Sequence, residues 1–392
     1  MKSRIFFDDR SRYQAFTQNT NEKTKICEFI SPHIKGIDKK KTNVKILDAG
    51  TGDGTIASHV IKAFHKFHPN TRLLFTGKEI SHQDVTNTLE KLSDRFVEHP
   101  KLVVTLTNVK FTQIDKLANS ASIDDKDIKI MKIELFGDNS YDFTSQIRSN
   151  SVVSFVNRYW GVNIDHSGNT RYINPCVIKI FRSDQLKLIS PAIESARPIS
   201  GFDLIIASQA YRSRSTVERK VRLVIDPLIK LLDISGELLI THSIGGEMIS
   251  EILKIAFKDI NAFPTLASDL IYHMQEAFHE DGPHYLFSEP STYKFSYNSS
   301  PEGVSSELFG LEVERRIESL FYYAQVTNEE IYRLKANNER MSNLRNVLQK
   351  TRELSFENEF FSIKKYDHRI SNPIINSKEN QHHLPSLKLF ST

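Results

Sequence analysis

The residues of this chain that are best suited to bind a ligand form a glycine-rich turn at positions 48–54. The turn reads Asp48-Ala49-Gly50-Thr51-Gly52-Asp53-Gly54. Glycines allow a left-handed backbone and a close approach of ligand to main chain, and a helix that starts after them offers free N–H groups. Because carboxylates at Asp48 and Asp53 would repel a pyrophosphate, we expect a ligand that brings a cation or hydroxyl groups. No Gly-Lys-Ser/Thr follows the turn, which excludes a P-loop.

The histidines and cysteines give no metal-binding pattern. His279 and His284 lie on either side of Gly282-Pro283 and lack the helical spacing that pairs two ligands on one face. The chain has 2 cysteines, which cannot build a disulfide scaffold or a four-ligand zinc site. We therefore predict no metal site.

Short apolar runs alternate with helical patterns around the glycine-rich turn. The runs lie at 44–47, 73–76, 102–106, 202–207 and 238–242. Strand and helix alternating at this spacing predict a parallel sheet. His242 ends the fifth run, at the carboxyl edge where such sheets place ligands, and is a candidate general base or substrate contact.

The chain divides into one core and several additions. We predict a helical lid at 1–43, a core at 44–111 and 200–246, a substrate-capping insertion at 112–199, a mainly helical region with a final strand at 247–365, and a flexible tail at 366–392. The fold class is α/β: a doubly wound, mostly parallel, Rossmann-like sheet with a hairpin-bearing insertion and a helical C-terminal region.

The insertion is too long to lack structure. Its predicted hairpin has strands near Val152–Asn163 and Cys176–Phe181 around the turn-rich residues 166–169. Trp160 and Tyr172 either cap the binding site or form a small core of the insertion itself.

The strand–turn–helix at 44–67 resembles the first motif of class I S-adenosylmethionine-dependent methyltransferases, an apolar strand followed by an acid and G-x-G-x-G. The resemblance covers about 44–110 and 200–245 and implies a methyltransferase sheet with S-adenosylmethionine as cofactor. It implies that Glu79, after the second strand, binds the ribose hydroxyls and that Asn108, after the third, meets the adenine. The implied cofactor residues are Asp48, Gly50, Thr51, Gly52, Gly54, Glu79, Asn108 and Ser208.

The same resemblance places the residues after the fourth strand beside the methyl donor. They read Ser208-Gln209-Ala210-Tyr211, without the Asn/Asp-Pro-Pro-Tyr of many base-methylating enzymes. We take Gln209 and Arg212 as substrate-binding candidates and Tyr211 and His242 as catalytic candidates. The downstream basic cluster, Arg212 to Arg222, either contacts an anion or nucleic acid or forms a solvated helix face.

The N-terminal segment is similar to the first helices of histamine N-methyltransferase-like enzymes. Tyr13, Phe16 and Glu22 match the aromatic pair and the glutamate that contact the substrate in that family. Helix packing of the two rings and a capping role for Glu22 are the alternatives. The whole chain also resembles uncharacterised bacterial methyltransferases of about this length.

Composition sets the outer limits of these expectations. The 392 residues are 39% hydrophobic, enough to bury a core. No run approaches the ~18 apolar residues of a membrane span, and the N-terminus lacks an apolar signal segment. We expect a cytoplasmic protein without a membrane partner. The formal charge of +4 neither requires nor excludes an anionic partner, and the oligomeric state stays open.

Three functional hypotheses follow. The first is an enzyme that methylates N or O of a small molecule. The second is a methyltransferase that acts on RNA or protein, for which a contiguous positive surface near Arg212–Arg222 would be the signature. The third is a non-catalytic binding protein that keeps the fold.

Overall fold

The structure is a computed structural model that describes residues 10–118, 122–164, 170–188, 201–258, 260–277, 284–298 and 306–366. The predicted tail from residue 367 onward and the turn expected at 166–169 lie outside the described residues.

These residues form fourteen strands, and ten of the strands make one mixed sheet. Numbered in chain order, the strands are β1 (Asn43–Asp48), β2 (Arg72–Lys78), β3 (Leu102–Thr107), β4 (Ser122–Ile123), β5 (Lys126–Asp127), β6 (Lys129–Leu135), β7 (Val162–Ile164), β8 (Thr170–Tyr172), β9 (Cys176–Arg182), β10 (Phe202–Ser208), β11 (Leu232–Gly245), β12 (His284–Phe287), β13 (Ser291–Ser296) and β14 (Ser355–Tyr366). The order across the main sheet is β12-β14-β11-β10-β1-β2-β3-β9-β6, with β13 also paired to β14. Strands β4 and β5, and β7 and β8, form separate hairpins.

The centre of the sheet is parallel, which confirms the predicted fold class. Strands β11, β10, β1, β2 and β3 run in one direction, and β14 and β9 flank them antiparallel. From β1 the chain continues through β2 to β3, toward one edge of the sheet. From β10 it continues to β11, toward the opposite edge. The direction of winding therefore reverses between β1 and β10, and ligands of open α/β sheets bind at such a switch point beside the carboxyl ends of the strands.

Helices cover both faces of the sheet. They are α1 (Arg10–Asn19), α2 (Glu22–Lys35), α3 (Thr55–Phe67), α4 (His82–Glu90), α5 (Ser93–Glu98), α6 (Ser140–Ile147), α7 (Asn150–Tyr159), α8 (Val217–Lys220), α9 (Asp226–Lys230), α10 (Glu247–Ala256), α11 (Ala267–Ala277), α12 (Ser306–Tyr323), α13 (Asn328–Lys335) and α14 (Asn338–Lys350). None of the described helices is long and apolar enough to cross a membrane.

Strand side chains alternate between two buried cores, as pleated strands covered on both faces require. Ile46 and Ile206 enter the larger core, which includes α2 and α3. Leu47 and Ile205 enter the second core, which includes the region of α8, α9 and α11. Most residues of each central strand are therefore apolar, on both faces, and this is the pattern that made these strands recognisable.

The insertion contains a hairpin, as predicted, but the two predicted segments do not pair with each other. Most of Val152–Asn163 is helix α7, in which Val152 and Val156 are buried at helical spacing while Val153 is exposed. Cys176–Phe181 is a strand, but as β9 it pairs with β3 and β6 in the main sheet. The small hairpin of this region instead joins β7 and β8.

The helical segments that follow two of the core strands are divided. The segment after β2 is two helices, α4 and α5, and the one after β10 is α8 and α9 joined by a π-helical turn at Val221–Ile225. Strands β12 and β13 lie within the region 247–365, which was predicted to be mainly helical with one final strand. They pair with β14, the final strand of that region.

The N-terminal helices are fastened to the C-terminal half of the chain. Asn21 donates a backbone hydrogen bond to Ser296 and accepts one from it through its side chain. Arg12 forms an ion pair with Glu318 of α12. Helix α2 packs on α3, so residues 10–35 lie along the glycine-rich turn and the C-terminal additions together.

Trp160 anchors the insertion to the core. It is fully buried, and its indole N–H donates to the backbone oxygen of Glu79 at 3.1 Å. We predict that Trp160→Phe lowers the free energy of unfolding by about 2 kcal/mol, because the bond and part of the packing are lost. Urea denaturation followed by circular dichroism measures this, with the exposed Tyr141→Phe as a control expected to change little. An unchanged Trp160→Phe would contradict the anchoring role.

Candidate functional site

Two glycines of the turn are required by the protein's own packing. Gly52 and Gly54 have left-handed φ angles of 55° and 78°. A Cβ at Gly54 would lie 2.8 Å from the Cα of Thr88 in α4, and one at Gly52 would clash with the hydroxyl of Tyr13. These glycines bring α4 and α1 close to the turn.

Gly50 is different from the other two glycines. Its φ is not left-handed, and a Cβ there would meet only the backbone oxygen of Ser208, at 3.8 Å, among the described atoms. Packing within the described chain therefore does not explain this glycine. Because Gly50 and Ser208 lie at the ends of β1 and β10, the free space lies at the switch point of the sheet.

Asp48 ends β1 beside that space. Its side chain is fully buried, and neither carboxylate oxygen has a hydrogen-bond partner among the described residues. Burial raises the pKa of Asp48 to about 7 and the nearby charge of Glu79 adds to the effect, against a smaller lowering by the Lys23 charge and by the Gly50 backbone N–H, which approaches the carboxylate without the geometry of a hydrogen bond. A buried carboxylate without a partner is costly, so this position favours a ligand that brings a positive charge or N–H donors.

Glu79 follows β2 and joins two loops. One carboxylate oxygen accepts the Gly52 N–H at 2.8 Å and the other accepts the Ser81 N–H at 2.7 Å. Each oxygen keeps a second lone pair. The acid therefore holds the glycine-rich turn while it remains able to accept hydrogen bonds from hydroxyl groups.

Thr51, between Gly50 and Gly52, is buried and has a structural role. Its backbone N–H donates to the backbone oxygen of Lys78 at 3.1 Å. This bond ties the turn to the end of β2.

Asp53 serves the helix that follows. It accepts the backbone N–H of Thr55 at 3.1 Å and forms ion pairs with Lys23 and Lys91. Burial raises the pKa of Asp53, but the lysine charges and hydrogen bonds outweigh it and lower the value to about 2. The hydroxyl of Tyr13 accepts from Lys23 at 3.2 Å, so helix α1 is held against the turn.

A second group of polar residues lies where the start of α2 meets the end of β10 and the strand β14. Glu22 is buried and accepts hydrogen bonds from the side-chain amides of Gln209, at 3.1 Å, and Asn358, at 3.0 Å. Burial raises the pKa of Glu22, against the lowering effect of these bonds and of Lys23. Gln209 has a left-handed φ of 51°, a strained conformation for a residue with a side chain that is concentrated at functional sites.

This group extends along β11 and β14. The Asn358 amide also donates to the Tyr293 hydroxyl at 3.0 Å, and the Asn358 side-chain oxygen accepts the Tyr323 hydroxyl at 3.2 Å. Ser243 donates to Gln209 at 3.2 Å. Carboxylate, amide and hydroxyl groups are thus enclosed together at the carboxyl edge of the sheet.

A third group contains the two catalytic candidates. The Tyr211 hydroxyl lies 2.9 Å from Nδ1 of His242, and Nε2 of His242 lies 3.1 Å from a carboxylate oxygen of Glu359. All three belong to the face of the second core. Burial lowers the pKa of His242, which outweighs the raising effect of Glu359.

The remaining candidates lie apart from these groups. Both polar atoms of the Asn108 side chain form hydrogen bonds to the insertion. The amide nitrogen donates to the backbone oxygen of Asn174, and the amide oxygen accepts the backbone N–H of Cys176. Phe16 is buried among the rings of Tyr322, Phe295, Tyr323 and Phe356. Arg212 is half-buried in the loop after β10.

Sequence reasoning missed several members of these groups. They are Lys23, Ser243, Tyr293, Tyr323, Asn358 and Glu359. A usable signal was present in β14, where Glu357 and Glu359 alternate with Asn358 and Phe360 at strand spacing. No group of histidine, cysteine and acidic residues that could hold a metal occurs in the described part of the chain.

Comparison with known proteins gives remote structural likenesses. No protein-family model matches the chain, and no curated protein matches it in sequence. The [4+2]-cyclase SpnF is similar at 12% identity over 86% of this chain and 80% of its own, with a TM-score of 0.36. A geranyl diphosphate methyltransferase is similar at 8% identity over 88% and 78%, with a TM-score of 0.34. The mycolic acid cyclopropane synthase CmaA1 is similar at 10% identity over 83% of each chain, with a TM-score of 0.30.

Because these scores are low, functional assignment depends on the chain's own site. Asp48, Glu79 and Gly50 fit a ligand with a cationic group, hydroxyls and a part that lies against the main chain. S-adenosylmethionine has all three features, so the residues present fit the cofactor implied by the sequence resemblance.

The charge state of Asp48 makes stability depend on pH. Since its pKa is about 7 when folded, against 3.8 ordinarily, the folded state holds the proton more tightly, and stability falls as pH rises between these values. Asp48→Asn abolishes this loss. We predict that the variant gains about 3 kcal/mol of unfolding free energy relative to wild type between pH 5 and pH 8. Urea titrations at both pH values test this, and a constant difference would contradict it.

Proposed function

We propose that the protein is an S-adenosylmethionine-dependent methyltransferase that transfers a methyl group to N or O of a small molecule. The observation that carries the proposal is the buried, unpartnered carboxylate of Asp48 beside the free space at Gly50. It lies at the switch point of a doubly wound sheet, one strand away from Glu79.

The cofactor would be held by residues at the ends of β1 and β2. Asp48 would accept from the amino group and balance positive charge, and the second lone pairs of Glu79 would accept from the ribose hydroxyls. Gly50 would allow close contact with the main chain, and Ser208 lies across from it. The other glycines and Thr51 shape the turn that presents these groups.

When bound, the cofactor supplies an electrophilic methyl group on a sulfonium. The protein then needs mainly to align the acceptor atom, exclude water and remove a proton. Helices α1 and α2 lie at the glycine-rich turn, where Tyr13 and Lys23 contact it. We propose that they form the lid of the site.

The enclosed group around Glu22 is the proposed acceptor site. A buried carboxylate favours an acceptor with N–H or O–H donors, and the Gln209 amide provides a neighbouring polar contact. The group lies under α2 rather than on an open surface, which favours a small molecule over RNA or protein.

The basic cluster after β10 is only partly available to a nucleic-acid substrate. Arg214 forms a two-pronged ion pair with Glu330 at 2.8 and 2.9 Å, and Lys220 is buried. Two of its cations are therefore engaged within the fold. The unpartnered Asp48 also argues against a non-catalytic scaffold, because a carboxylate that binds nothing only reduces stability.

Isothermal titration with S-adenosylmethionine at pH 8 tests the proposal. We predict that wild type binds and that Asp48→Asn binds at least about tenfold more weakly, because a charged hydrogen bond is lost. The urea titration of Asp48→Asn at pH 8 shows whether the variant is folded under these conditions, so that weaker binding is separated from unfolding.

Asp127→Asn is the matched control, since that side chain is 83% exposed and lies away from the turn. It should bind as wild type does. Absence of binding by wild type, or equal binding by Asp48→Asn, would refute the cofactor assignment.

A further inference from the structure

Strand β6 ends the main sheet, and its outer side pairs with no other strand in the described part of the chain. On its inner side it runs parallel to β9, and the backbone N–H of Lys129 donates to the backbone oxygen of Pro175 at 2.8 Å. Main-chain polar groups of successive strand residues point alternately to the two sides, so those of Ile130, Lys132 and Glu134 point outward. An open row of such groups is a template for a further strand.

The protein closes this open side only at its end. The side-chain oxygen of Gln146 in α6 accepts the Phe136 N–H at 2.9 Å, and the side-chain nitrogen donates to the Phe136 carbonyl at 2.7 Å. These bonds satisfy the main chain of Phe136 as a partner strand would. The open stretch therefore runs from Ile130 to Glu134.

The side chains of β6 form two different faces. Alternate residues enter the larger core beside α6 and α7, and these are Met131, Ile133 and Leu135. The opposite face carries an apolar, a basic, an acidic and an apolar side chain in turn, namely Ile130, Lys132, Glu134 and Phe136. Ile130 is 45% exposed and Phe136 is 60% exposed. No ion pair within the described chain engages Lys132 or Glu134.

We propose that β6 pairs antiparallel with β6 of a second copy of this chain, around a two-fold axis at Ile133. An axis perpendicular to the sheet keeps each face on its own side, so residues that lie opposite each other share a face. With Ile133 opposite its own counterpart, Lys132 lies opposite Glu134 of the second copy. In the same register, Ile130 lies opposite Phe136. Because Lys132 and Glu134 both point their main-chain groups outward, each such pair can exchange N–H···O bonds in both directions.

Neighbouring registers are disfavoured by the same side chains. An axis at Lys132 places lysine opposite lysine, and an axis at Glu134 places acid opposite acid. Like charges directly opposite each other destabilise a strand pair, whereas opposite charges stabilise it. A lysine on an edge strand normally opposes pairing, but here an acid two residues further along provides its partner. The charge pattern therefore selects one register and favours a copy of the same strand as the partner.

This inference is independent of the proposed function. Between β6 and β1 the main sheet contains β9, β3 and β2, so the pairing edge lies away from the switch point at Gly50. Loss of the dimer should therefore leave ligand binding at that switch point unchanged.

Sedimentation equilibrium of the full-length protein tests the pairing. We expect a monomer–dimer equilibrium in wild type at micromolar concentration. Lys132→Glu should weaken dimerisation at least about tenfold, because the two-fold axis replaces both ion pairs by acid opposite acid. The double variant Lys132→Glu/Glu134→Lys restores opposite charges and should dimerise within about threefold of wild type.

Lys40→Glu is the matched control, since it makes the same charge change at an exposed position outside the insertion. It should dimerise as wild type does. A monomeric wild type, a dimer that Lys132→Glu does not weaken, or a double variant as weak as Lys132→Glu would each overturn the proposal.

Cross-linking tests the register. Directly opposite residues between the ladder hydrogen bonds have Cα atoms about 4.5 Å apart, within reach of a disulfide. The native cysteines, Cys27 and Cys176, are buried, so mild oxidation should give a reducible dimer of Ile133→Cys but not of wild type. Lys132→Cys is the control, because its counterpart would lie diagonally across the strand pair.

Failure of folded Ile133→Cys to cross-link, or preferential cross-linking of Lys132→Cys, would overturn the proposed register. If circular dichroism shows that Ile133→Cys does not fold, the charge variants decide the proposal alone.

Discussion

The burial of the Asp48 carboxylate is the constraint on which the rest of the site depends. A charge placed at the end of a fully buried strand must be neutralised by a proton or by a partner, and none of the described side chains is bonded to it. The free space at Gly50 and the available lone pairs of Glu79 surround the same edge. The ionised Asp48 carboxylate is thus unfavourable in the fold, and a cationic ligand would stabilise it.

Enclosure of that edge comes from segments far apart in sequence. Glu22, near the start of the described chain, accepts a hydrogen bond from Asn358, 336 residues later. Tyr13 and Lys23 hold the N-terminal helices to the turn, while β13 and α12 hold them to the C-terminal half. Opening the proposed lid therefore requires breaking hydrogen bonds and ion pairs to both the core and the additions.

The parts predictable from sequence were those decided by local pattern. The central strands were recognisable because both faces are buried, and the turn because its glycines lie between a strand and a helix. The helix α7 was mistaken for a strand because Val152 and Val153 favour strands locally, whereas packing of Val152 and Val156 on one side decides the outcome. The partners of Asn108 and His242 could not be foreseen, since they depend on how β9 and β14 join the sheet edges.

The most direct test of the central claim is the number of protons released when S-adenosylmethionine binds at pH 7. Calorimetry in two buffers of different ionisation enthalpy gives this number for wild type and for Asp48→Asn. Since the pKa of Asp48 is about 7, binding of a cation that requires the ionised form should release about half a proton more from wild type than from the variant. Equal proton release, or uptake by wild type, would contradict the account.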